Sequence, residues 1–313
     1  MVAKSCPDDE FVRLFNSLGA DKVAKQLGIN RRNVQRRRAL LAAKGYALAS
    51  PNLGDDSVSS HPHRYEFEVR NGTVIVGSDF HIWPGAESTA LRAFKKAASW
   101  LKPQAVILNG DVMDFPKISR HAPIMWESAP DPQDEIEAAQ GHLHDIAMAC
   151  GDARKVWTLG NHDARFESRL ATMAPEYRRV TGVHLVDHFP LWEPCWSAWI
   201  NNDVVIKHRP LGGGIGAARN STAKAGKTIV CGHLHSMKVV PYTDYNGTRY
   251  GVDTGCIADP SHKAFVDYTE DAPLDWRSGF CVLTFKDGRL MQPELVQVWD
   301  KDHVEFRGKV YRV

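Results

Sequence analysis

Short apolar runs recur between residues 73 and 285, and they constrain the fold of this chain more than any other feature. The runs cover residues 73–76, 105–108, 155–159, 203–207, 228–231 and 280–285. Bounded runs of this length are typical of buried β-strands. Two clear helical stretches, 88–101 and 133–150, lie between the early runs. The pattern predicts βαβ units followed by a more strand-rich second half, which makes an α/β domain with mixed sheets.

Polar residues of the kinds that bind metal ions follow five of these runs. They are Asp79 and His81; Asn109, Asp111 and Asp114; Asn161, His162 and Asp163; His208; and His233 and His235. A lone histidine is more often a hydrogen-bonded structural residue than a ligand. In α/β folds, however, ligands gather at the carboxyl ends of strands. Recurrence at five such ends therefore predicts one shared site, and its carboxylate, imidazole and amide groups suit divalent metal ions.

Read in order, these residues give the motifs D-x-H, G-D-x-x-D, G-N-H-D, a lone H and G-H-x-H. Across roughly residues 73–300, the chain closely resembles the calcineurin-like metallophosphoesterase superfamily. Its G-N-H-D form is similar to the phosphodiesterase and Mre11/SbcD-like nuclease branches. The resemblance implies a four-layer αββα sandwich of two mixed sheets, with the site at the carboxyl ends of the strands.

The resemblance also implies two divalent metal ions as cofactors. Mn²⁺ is the preferred ion, with Fe²⁺, Zn²⁺ or Ni²⁺ as alternatives. The ligands of the first ion would be Asp79, His81, Asp111 and His235. The ligands of the second ion would be Asp111, Asn161, His208 and His233, so that Asp111 bridges both. Two ions about 3.5–4 Å apart clamp a phosphoryl group, and a hydroxide between them would attack phosphorus in line.

Two further residues would serve catalysis without binding metal. By the same resemblance, His162 protonates the leaving oxygen. Asp114 lies three residues after Asp111, and it would orient the imidazole of His162. The alternative interpretation of Asp114 is a loop carboxylate that caps a turn.

One segment repeats the letters of the last motif at the wrong place. Residues 141–144 read G-H-L-H, as residues 232–235 do. The earlier copy lies in the predicted helix at 133–150, where residues two apart point in different directions. We therefore interpret His142 and His144 as helix-surface or interface residues.

The basic excess of the chain is concentrated at its start. The first 50 residues carry ten Lys and Arg against four Asp and Glu, whereas the remainder carries 29 against 33. Residues 10–44 have a helical pattern, which Gly28 and Asn30 interrupt where a tight turn and an N-cap would fall. The segment resembles the helix-turn-helix of DNA-binding domains, with a small core of Ala24, Leu27, Ile29 and Val34.

The second of these helices would present a basic face to DNA. The candidate contacts are Arg31, Arg32, Gln35, Arg36 and Arg38. The alternative is a solvated basic helix that packs on the main domain. A Pro-, Gly- and Ser-containing stretch then predicts a linker. We expect a basic, all-α helix-turn-helix-like domain at 1–48, the linker at 49–66 and the metallophosphoesterase domain at 67–313.

Two observations bear on the substrate. Protein phosphatases of the superfamily place Arg-Gly after the second Asp of G-D-x-x-D, but here Phe115 and Pro116 follow Asp114. A fused DNA-binding module would raise the local concentration of DNA. Together these features favour a DNA phosphodiesterase, either a nuclease or a nicking endonuclease, with DNA as its partner. The alternatives are a phosphodiesterase of cyclic nucleotides or other small phosphoesters, or a protein phosphatase, with a DNA-binding regulatory domain.

Some features leave alternatives open or exclude a class of protein. Trp192, Trp196 and Trp199 either stack on bases or pack in the core. Residues 116–132 form either a substrate-side lid or a plain surface loop.

No run of about 18 apolar residues exists to span a bilayer, so we expect no membrane partner. The six scattered cysteines suit a reducing compartment, and the polar start of the chain lacks a secretory signal, so we expect a cytoplasmic protein.

Overall fold

The computed structural model describes residues 6–48, 61–120, 129–262, 266 and 274–313. It divides into two compact units, Met1–Ser60 and His61–Val313. Residues 49–60 of the predicted linker lie outside the described residues, as do residues 121–128 of the predicted lid or loop. At the other end of that linker, residues 65 and 66 already belong to a strand. Hydrogen bonding explains the difference, because the amide of Tyr65 donates to the carbonyl of Ser197.

The described helices and strands alternate in the first half of the chain, and strands dominate the second half. The helices are α1 (Asp8–Leu27), α2 (Arg31–Ala43), α3 (Thr89–Trp100), α4 (Pro132–Ala149), α5 (Asp163–Met173), α6 (Leu185–His188) and α7 (Ala217–Ala225). The first eight strands are β1 (Tyr65–Phe67), β2 (Gly72–Gly77), β3 (Ala105–Leu108), β4 (Arg154–Thr158), β5 (Glu193–Cys195), β6 (Ala198–Ile200), β7 (Val204–Ile206) and β8 (Thr228–Cys231). The others are β9 (Lys238–Asp244), β10 (Gly247–Asp253), β11 (Gly279–Lys286), β12 (Arg289–Leu290), β13 (Glu294–Asp300), β14 (His303–Phe306) and β15 (Lys309–Arg312).

The N-terminal unit is a small helical bundle. Its first helix is interrupted at Gly19, whose backbone angles are not helical, so the unit has three helical segments rather than the two that the sequence predicts. Asn30 caps α2 as expected, because its side chain accepts hydrogen bonds from two amides of the first turn. All four predicted core residues pack in one cluster, together with Phe11, Phe15, Val23 and Leu41.

The candidate DNA contacts lie on α2, the second helix of the unit, as the sequence predicts. Arg31, Arg32, Arg36 and Arg38 are exposed, and Gln35 is half-buried. The remaining arginine of the helix, Arg37, instead forms an ion pair of 2.7 Å with Asp8 at the start of α1. The helix therefore uses one arginine to hold the bundle together and leaves a basic face open to solvent.

The C-terminal unit contains two mixed sheets. Among the described residues, one sheet has the strand order β1-β6-β7-β8-β10-β9. The other has the order β15-β14-β13-β11-β2-β3-β4-β5, and β12 pairs with β11. The pairs β2/β3, β3/β4 and β7/β8 are all parallel, so the carboxyl ends of these strands meet at common edges.

Alternate residues of the central strands face two different cores, which explains why these strands read as continuous apolar runs. Val74 and Val76 of β2 pack between the two sheets, whereas Ile75 packs against the helices α3 and α4. On the far side of the six-stranded sheet, Val205 and Ile229 pack against Ala218 of α7. The layers are thus helix, sheet, sheet and helix, which confirms the αββα sandwich.

No helix among the described residues is long and apolar enough to cross a bilayer. All six cysteines are free, and five of them are buried.

A partly buried ion cluster holds α5 against the segments that precede β1 and α6. Glu167 lies 3.2 Å from Nε2 of His61 and 3.2 Å from Nδ1 of His184, and it accepts a hydrogen bond of 3.0 Å from the Leu185 amide. Burial alone would raise the pKa of Glu167, but the hydrogen bonds from His61, Leu185 and His184 outweigh it and lower that pKa to about 2. The pKa of His184 is raised, because its bonds to the Arg178 carbonyl and to Glu167 outweigh burial.

We expect Glu167→Gln to lower the free energy of unfolding by about 1–2 kcal/mol, after allowance for solvent screening. The depressed pKa of Glu167 stabilises the fold above pH 4.5 and ceases to do so as the pH falls towards 2. The raised pKa of His184 stabilises the fold below pH 6.5 and ceases to do so at higher pH. Denaturant unfolding should therefore show the largest difference from wild type near about pH 5.5.

The exposed residue Glu176 provides a matched control. Glu176→Gln should unfold like the wild type at each pH. If Glu167→Gln instead showed the same deficit at about pH 3.5, 5.5 and 8, the ion cluster would not be its cause.

Candidate metal centre

The loops that follow five strands meet at one end of the sandwich. Asp79 and His81 follow β2, Asp111 follows β3, and Asn161 follows β4, all in the nine-stranded sheet. His208 follows β7, and His233 and His235 follow β8, in the six-stranded sheet. The predicted site therefore draws on both sheets.

Three of the predicted first-ion ligands form one group. The ligand atoms of Asp79, His81 and His235 lie within 4.8 Å of one another. Oδ1 of Asp79 is 3.0 Å from Nε2 of His235, and the rings of His81 and His235 are 5.5 Å apart. All three side chains are buried.

Three of the predicted second-ion ligands form another group. The ligand atoms of Asp111, His208 and His233 also lie within 4.8 Å of one another. Nε2 of His208 is 3.0 Å from Oδ2 of Asp111 and 4.0 Å from Oδ1 of Asp79. The carboxylates of the two groups thus approach the same imidazole, as two adjacent metal positions require. Asn161 accepts a hydrogen bond of 3.2 Å from Arg209.

The geometry of His208 fits a cation at this place. Its Nδ1 lies 2.8 Å from the carbonyl of Asn109 and can only donate to it, which directs Nε2 towards Asp111. That Nε2 is buried and has no hydrogen-bond partner of suitable geometry. Burial would lower the pKa of His208, but Asp111 and Asp79 raise it to about 9. The surrounding carboxylates therefore favour positive charge, which either a proton or a divalent ion supplies.

The two central carboxylates stay ionised despite their burial. Burial would raise the pKa of Asp79, but His235 and His208 hold it well below its usual range. The same competition, dominated by His208, lowers the pKa of Asp111 to about 2. Carboxylates that remain charged beside imidazole and amide groups are a donor set that suits borderline divalent ions. The residues present therefore fit two metal ions, and their roles as ligands remain predictions.

His162 and Asp114 form a pair beside these groups. Nδ1 of His162 bonds to Oδ1 of Asp114, and Nε2 of His162 lies 3.8 Å from Oδ2 of Asp111. Asp114 also lies 3.4 Å from Nδ1 of His81. Burial would raise the pKa of Asp114, but His162 and His81 outweigh burial and hold it well below its usual range. The carboxylate thus faces an imidazole, whereas the alternative interpretation has it capping a turn.

Left-handed backbone is concentrated at the site. Five of the eleven described non-glycine residues with positive φ are predicted metal ligands, namely Asp79, His81, Asp111, His233 and His235. This conformation costs about 1–2 kcal/mol per residue, and Asp and His tolerate it better than most residues. It turns the chain sharply after β2, β3 and β8, so that the ligands there face the same space.

Two motif glycines are required because the carboxylates approach the backbone closely. A Cβ at Gly160 would lie 2.1 Å from Oδ1 of Asp111. A Cβ at Gly232 would lie 2.4 Å from Oδ2 of Asp79. Both distances are impossible for non-bonded atoms, so the glycines of G-N-H-D and G-H-x-H are fixed by packing against the ligands.

The carboxylate of Asp163 ties two of the loops together. It accepts hydrogen bonds from the amides of Asp111, Val112 and Gly160, at 2.9, 2.8 and 2.8 Å, and from the indole of Trp157 at 3.1 Å. Its role is thus to brace the loops after β3 and β4.

Sequence reasoning missed two residues near His162. Glu135 of α4 is fully buried and accepts hydrogen bonds from the amides of Asp114 and Phe115, at 2.9 and 2.8 Å. Burial raises its pKa to about 7. Arg165 of α5 donates to the carbonyl of Asp114 at 2.7 Å and lies 3.3 Å from Nε2 of His162. The position of Arg165 three residues after His162, on one helix turn, is a signal that could have identified it.

The repeated G-H-L-H segment lies on α4, as the sequence predicts. His142 contacts Lys95 at 2.9 Å and Glu87 at 3.7 Å, and His144 is exposed.

Of the three tryptophans, Trp192 is buried in the helix-side core, whereas Trp199 packs against the α7 side of the sandwich. Trp196 is 42% exposed, so the core interpretation does not extend to it.

Relatives of the chain include phage proteins. The Gene 54 protein of Mycobacterium phage L5 is 24% identical over 247 residues, an alignment that covers 72% of this chain and 93% of that protein. The corresponding protein of Mycobacterium phage D29 is 25% identical, with the same coverage of each chain.

Solved structures that the chain matches include Vps29 from Chaetomium thermophilum, which is 12% identical and has a TM-score of 0.42. That alignment covers 77% of this chain and 98% of the Vps29 chain. The nuclease MPE of Pseudomonas putida is 15% identical with a TM-score of 0.33, and the alignment covers 70% of this chain and 86% of the nuclease.

The segment that carries the site also matches a family model. The model describes calcineurin-like phosphoesterases and matches residues 72–237, from the start of β2 to just beyond the G-H-x-H motif. This range covers more than half of the chain and includes every predicted metal ligand. The chain therefore belongs to the calcineurin-like phosphoesterases, a family of metal-dependent phosphoester hydrolases.

Proposed function

We propose that the chain is a dinuclear-metal-dependent phosphodiesterase that hydrolyses DNA, as a nuclease or a nicking endonuclease. The observation that supports the catalytic part is the His162–Asp114 pair, in which Nε2 of His162 lies 3.8 Å from Oδ2 of Asp111. When bound, two divalent ions would activate a water molecule and neutralise the charge that develops on the phosphoryl oxygens.

His162 would act on the leaving group. Asp114 holds Nδ1, so the proton to be transferred is carried on Nε2, which points towards Asp111. A scissile phosphate between the two ligand groups would then present its leaving oxygen to that proton. Arg165 lies beside the same nitrogen and would offset the negative charge of the phosphate.

Glu135 would position the His162–Asp114 pair through the backbone of the loop that carries Asp114. One carboxyl oxygen receives both the Asp114 and the Phe115 amides, although Phe115 itself is held in a left-handed conformation with φ of 51°. Without this acceptor, two buried amides would lose their partner. The loop that carries Asp114 would then relax, and His162 would lose its orientation.

The basic face of α2 supports DNA as the substrate. Four exposed arginines lie within eight residues of the capped start of this helix. In DNA-binding helix-turn-helix domains, such residues contact phosphates and base edges from the major groove. Tethering this unit to a phosphodiesterase would raise the local concentration of the substrate.

The two copies of G-H-L-H allow a matched test of the metal centre. We expect the double substitution of His233 and His235 by Ala to abolish at least one of two Mn²⁺-binding equivalents in calorimetric titration. Hydrolysis of bis(p-nitrophenyl) phosphate should fall by more than about 100-fold, because loss of outer partners alone typically costs 10–100-fold.

The corresponding substitution of His142 and His144 removes the same side chains from α4. It should leave both Mn²⁺ equivalents and the hydrolysis rate within about twofold of wild type. Equal effects of the two double substitutions would refute the assigned metal ligands.

Glu135→Ala should lower kcat for bis(p-nitrophenyl) phosphate by about 10–100-fold with little change in KM, while two Mn²⁺ still bind. Glu135→Gln keeps a carbonyl oxygen for the two amides, so it should recover most of the rate. A loss of Mn²⁺ binding in Glu135→Ala, or equal rates for the two variants, would contradict a positioning role.

The DNA-binding proposal is tested by titrating a DNA duplex at several salt concentrations. Arg32→Ala and Arg36→Ala should each weaken binding, and each should reduce the slope of log affinity against log salt by about 1. Lys22→Ala removes an exposed charge from α1 and serves as the control.

If Lys22→Ala matched the arginine variants, the basic face of α2 would have no special role. Should the chain hydrolyse bis(p-nitrophenyl) phosphate but no DNA, the alternative of a small-phosphoester substrate would replace the DNA proposal. Hydrolysis of phosphoproteins alone would favour the protein phosphatase.

A further inference from the structure

A cavity of about 830 Å³ opens beside the ligand groups. Asn161 and His208, two of the predicted ligands, form part of its wall, and α5 forms another part. Pockets for small ligands span ~300–1,000 Å³, so this one has room for more than a single phosphoryl group. A molecule seated in the cavity would therefore extend away from the scissile bond along α5.

The wall of this cavity is strongly cationic. Among the described residues that line it, five are basic and none is acidic. The basic residues are Arg120, Arg165, Arg169, Lys207 and Arg209. This concentration is unusual in the chain, because acidic residues exceed basic ones after residue 50.

The cations divide into two sets. Arg165 and Arg209 are held in place by hydrogen bonds to Asp114 and Asn161. Within the described part of the chain, the side chains of Arg120, Arg169 and Lys207 make no ion pair or hydrogen bond, and the first two are exposed. Positive charges that gather in a concave wall without counter-charges attract an anion. Their number exceeds the single charge of one phosphodiester, which favours a polyanion.

One aromatic residue shares this wall. Trp196 is 42% exposed, and its amide donates a hydrogen bond of 3.0 Å to the carbonyl of Pro62, which fixes its backbone. An accessible indole ring beside arginines provides a stacking platform for nucleobases. Inside a duplex, both faces of a base are covered by neighbouring bases. A ring in a cavity wall is thus suited to a base that is unpaired.

We propose that this cavity binds a single-stranded segment of nucleic acid next to the scissile phosphodiester. Arg169 and Lys207 contact the backbone phosphates, and Trp196 stacks on a base. The inference rests on the proposed hydrolysis of DNA and names the form of DNA that the site accepts.

The test measures binding of a fluorescent single-stranded oligonucleotide to the Mn²⁺-loaded full chain by anisotropy. All proteins carry Arg32→Ala and Arg36→Ala, which reduces the contribution of α2, and His162→Ala, which suppresses cleavage during the titration. Trp196→Ala and Arg169→Ala are compared with Trp299→Ala and Arg289→Ala. These controls remove exposed side chains of the same kinds outside the cavity wall.

We expect each cavity variant to weaken single-strand binding by about 5-fold or more, since Trp196→Ala removes a stacked base contact and Arg169→Ala removes a phosphate contact. The controls should stay within about twofold, and a duplex of the same sequence should bind more weakly than the single strand. Equal affinities of the cavity variants and controls would overturn the proposal. The proposal would also be overturned if the duplex bound more tightly than the single strand and the cavity variants weakened duplex binding. The cavity would then be a duplex site.

Cleavage by the chain with His162 intact separates this proposal from the proposed function. If binding depends on Trp196 and Arg169 but no DNA is cleaved, the cavity stands and DNA hydrolysis fails. If DNA is cleaved but binding is insensitive to both residues, hydrolysis stands and the cavity proposal fails.

Discussion

The close approach of two carboxylates to the backbone of neighbouring loops is the constraint on which the site depends. Asp111 occupies the space beside Gly160, and Asp79 occupies the space beside Gly232, at distances that admit no side chain. Each carboxylate is thereby wedged between loops that follow different strands. The loops hold these positions only because both sheets fix the strand ends that carry them. The separation of the ligand groups is therefore set by the sandwich rather than by any one loop.

This packing has an energetic cost that the surrounding structure offsets. Left-handed residues cluster at the loops, and charged groups are buried beside one another. Asp163 and Glu135 each supply a buried carboxyl group that satisfies amides of these loops. Backbone strain persists only where the surrounding structure over-determines it, so these acceptors help the loops to keep their left-handed conformations.

The sequence predicted the central strands and the identity of the fold because buried strands and ordered ligand motifs are local signals. Strand β8 begins and ends at the predicted residues, and α3 and α4 each lie within one residue of their predicted bounds. The strands β9 and β13 were not predicted, because their faces are partly exposed and their patterns are weaker. Glu135 was not identifiable either, since it is 21 residues from Asp114 and only packing brings the two together. The cationic cavity could not be predicted from composition, because acidic residues exceed basic ones after residue 50.

Cleavage of supercoiled plasmid in the presence of Mn²⁺ would show whether the chain is a metal-dependent DNA phosphodiesterase. Wild type, His162→Ala and Asp111→Asn would be compared, and hydrolysis of bis(p-nitrophenyl) phosphate would be followed in parallel. We expect nicked or linear plasmid with the wild type, loss of both activities in Asp111→Asn and a strong decrease of both in His162→Ala. Plasmid cleavage that survives both substitutions, or hydrolysis confined to the small diester, would contradict a two-metal DNA phosphodiesterase.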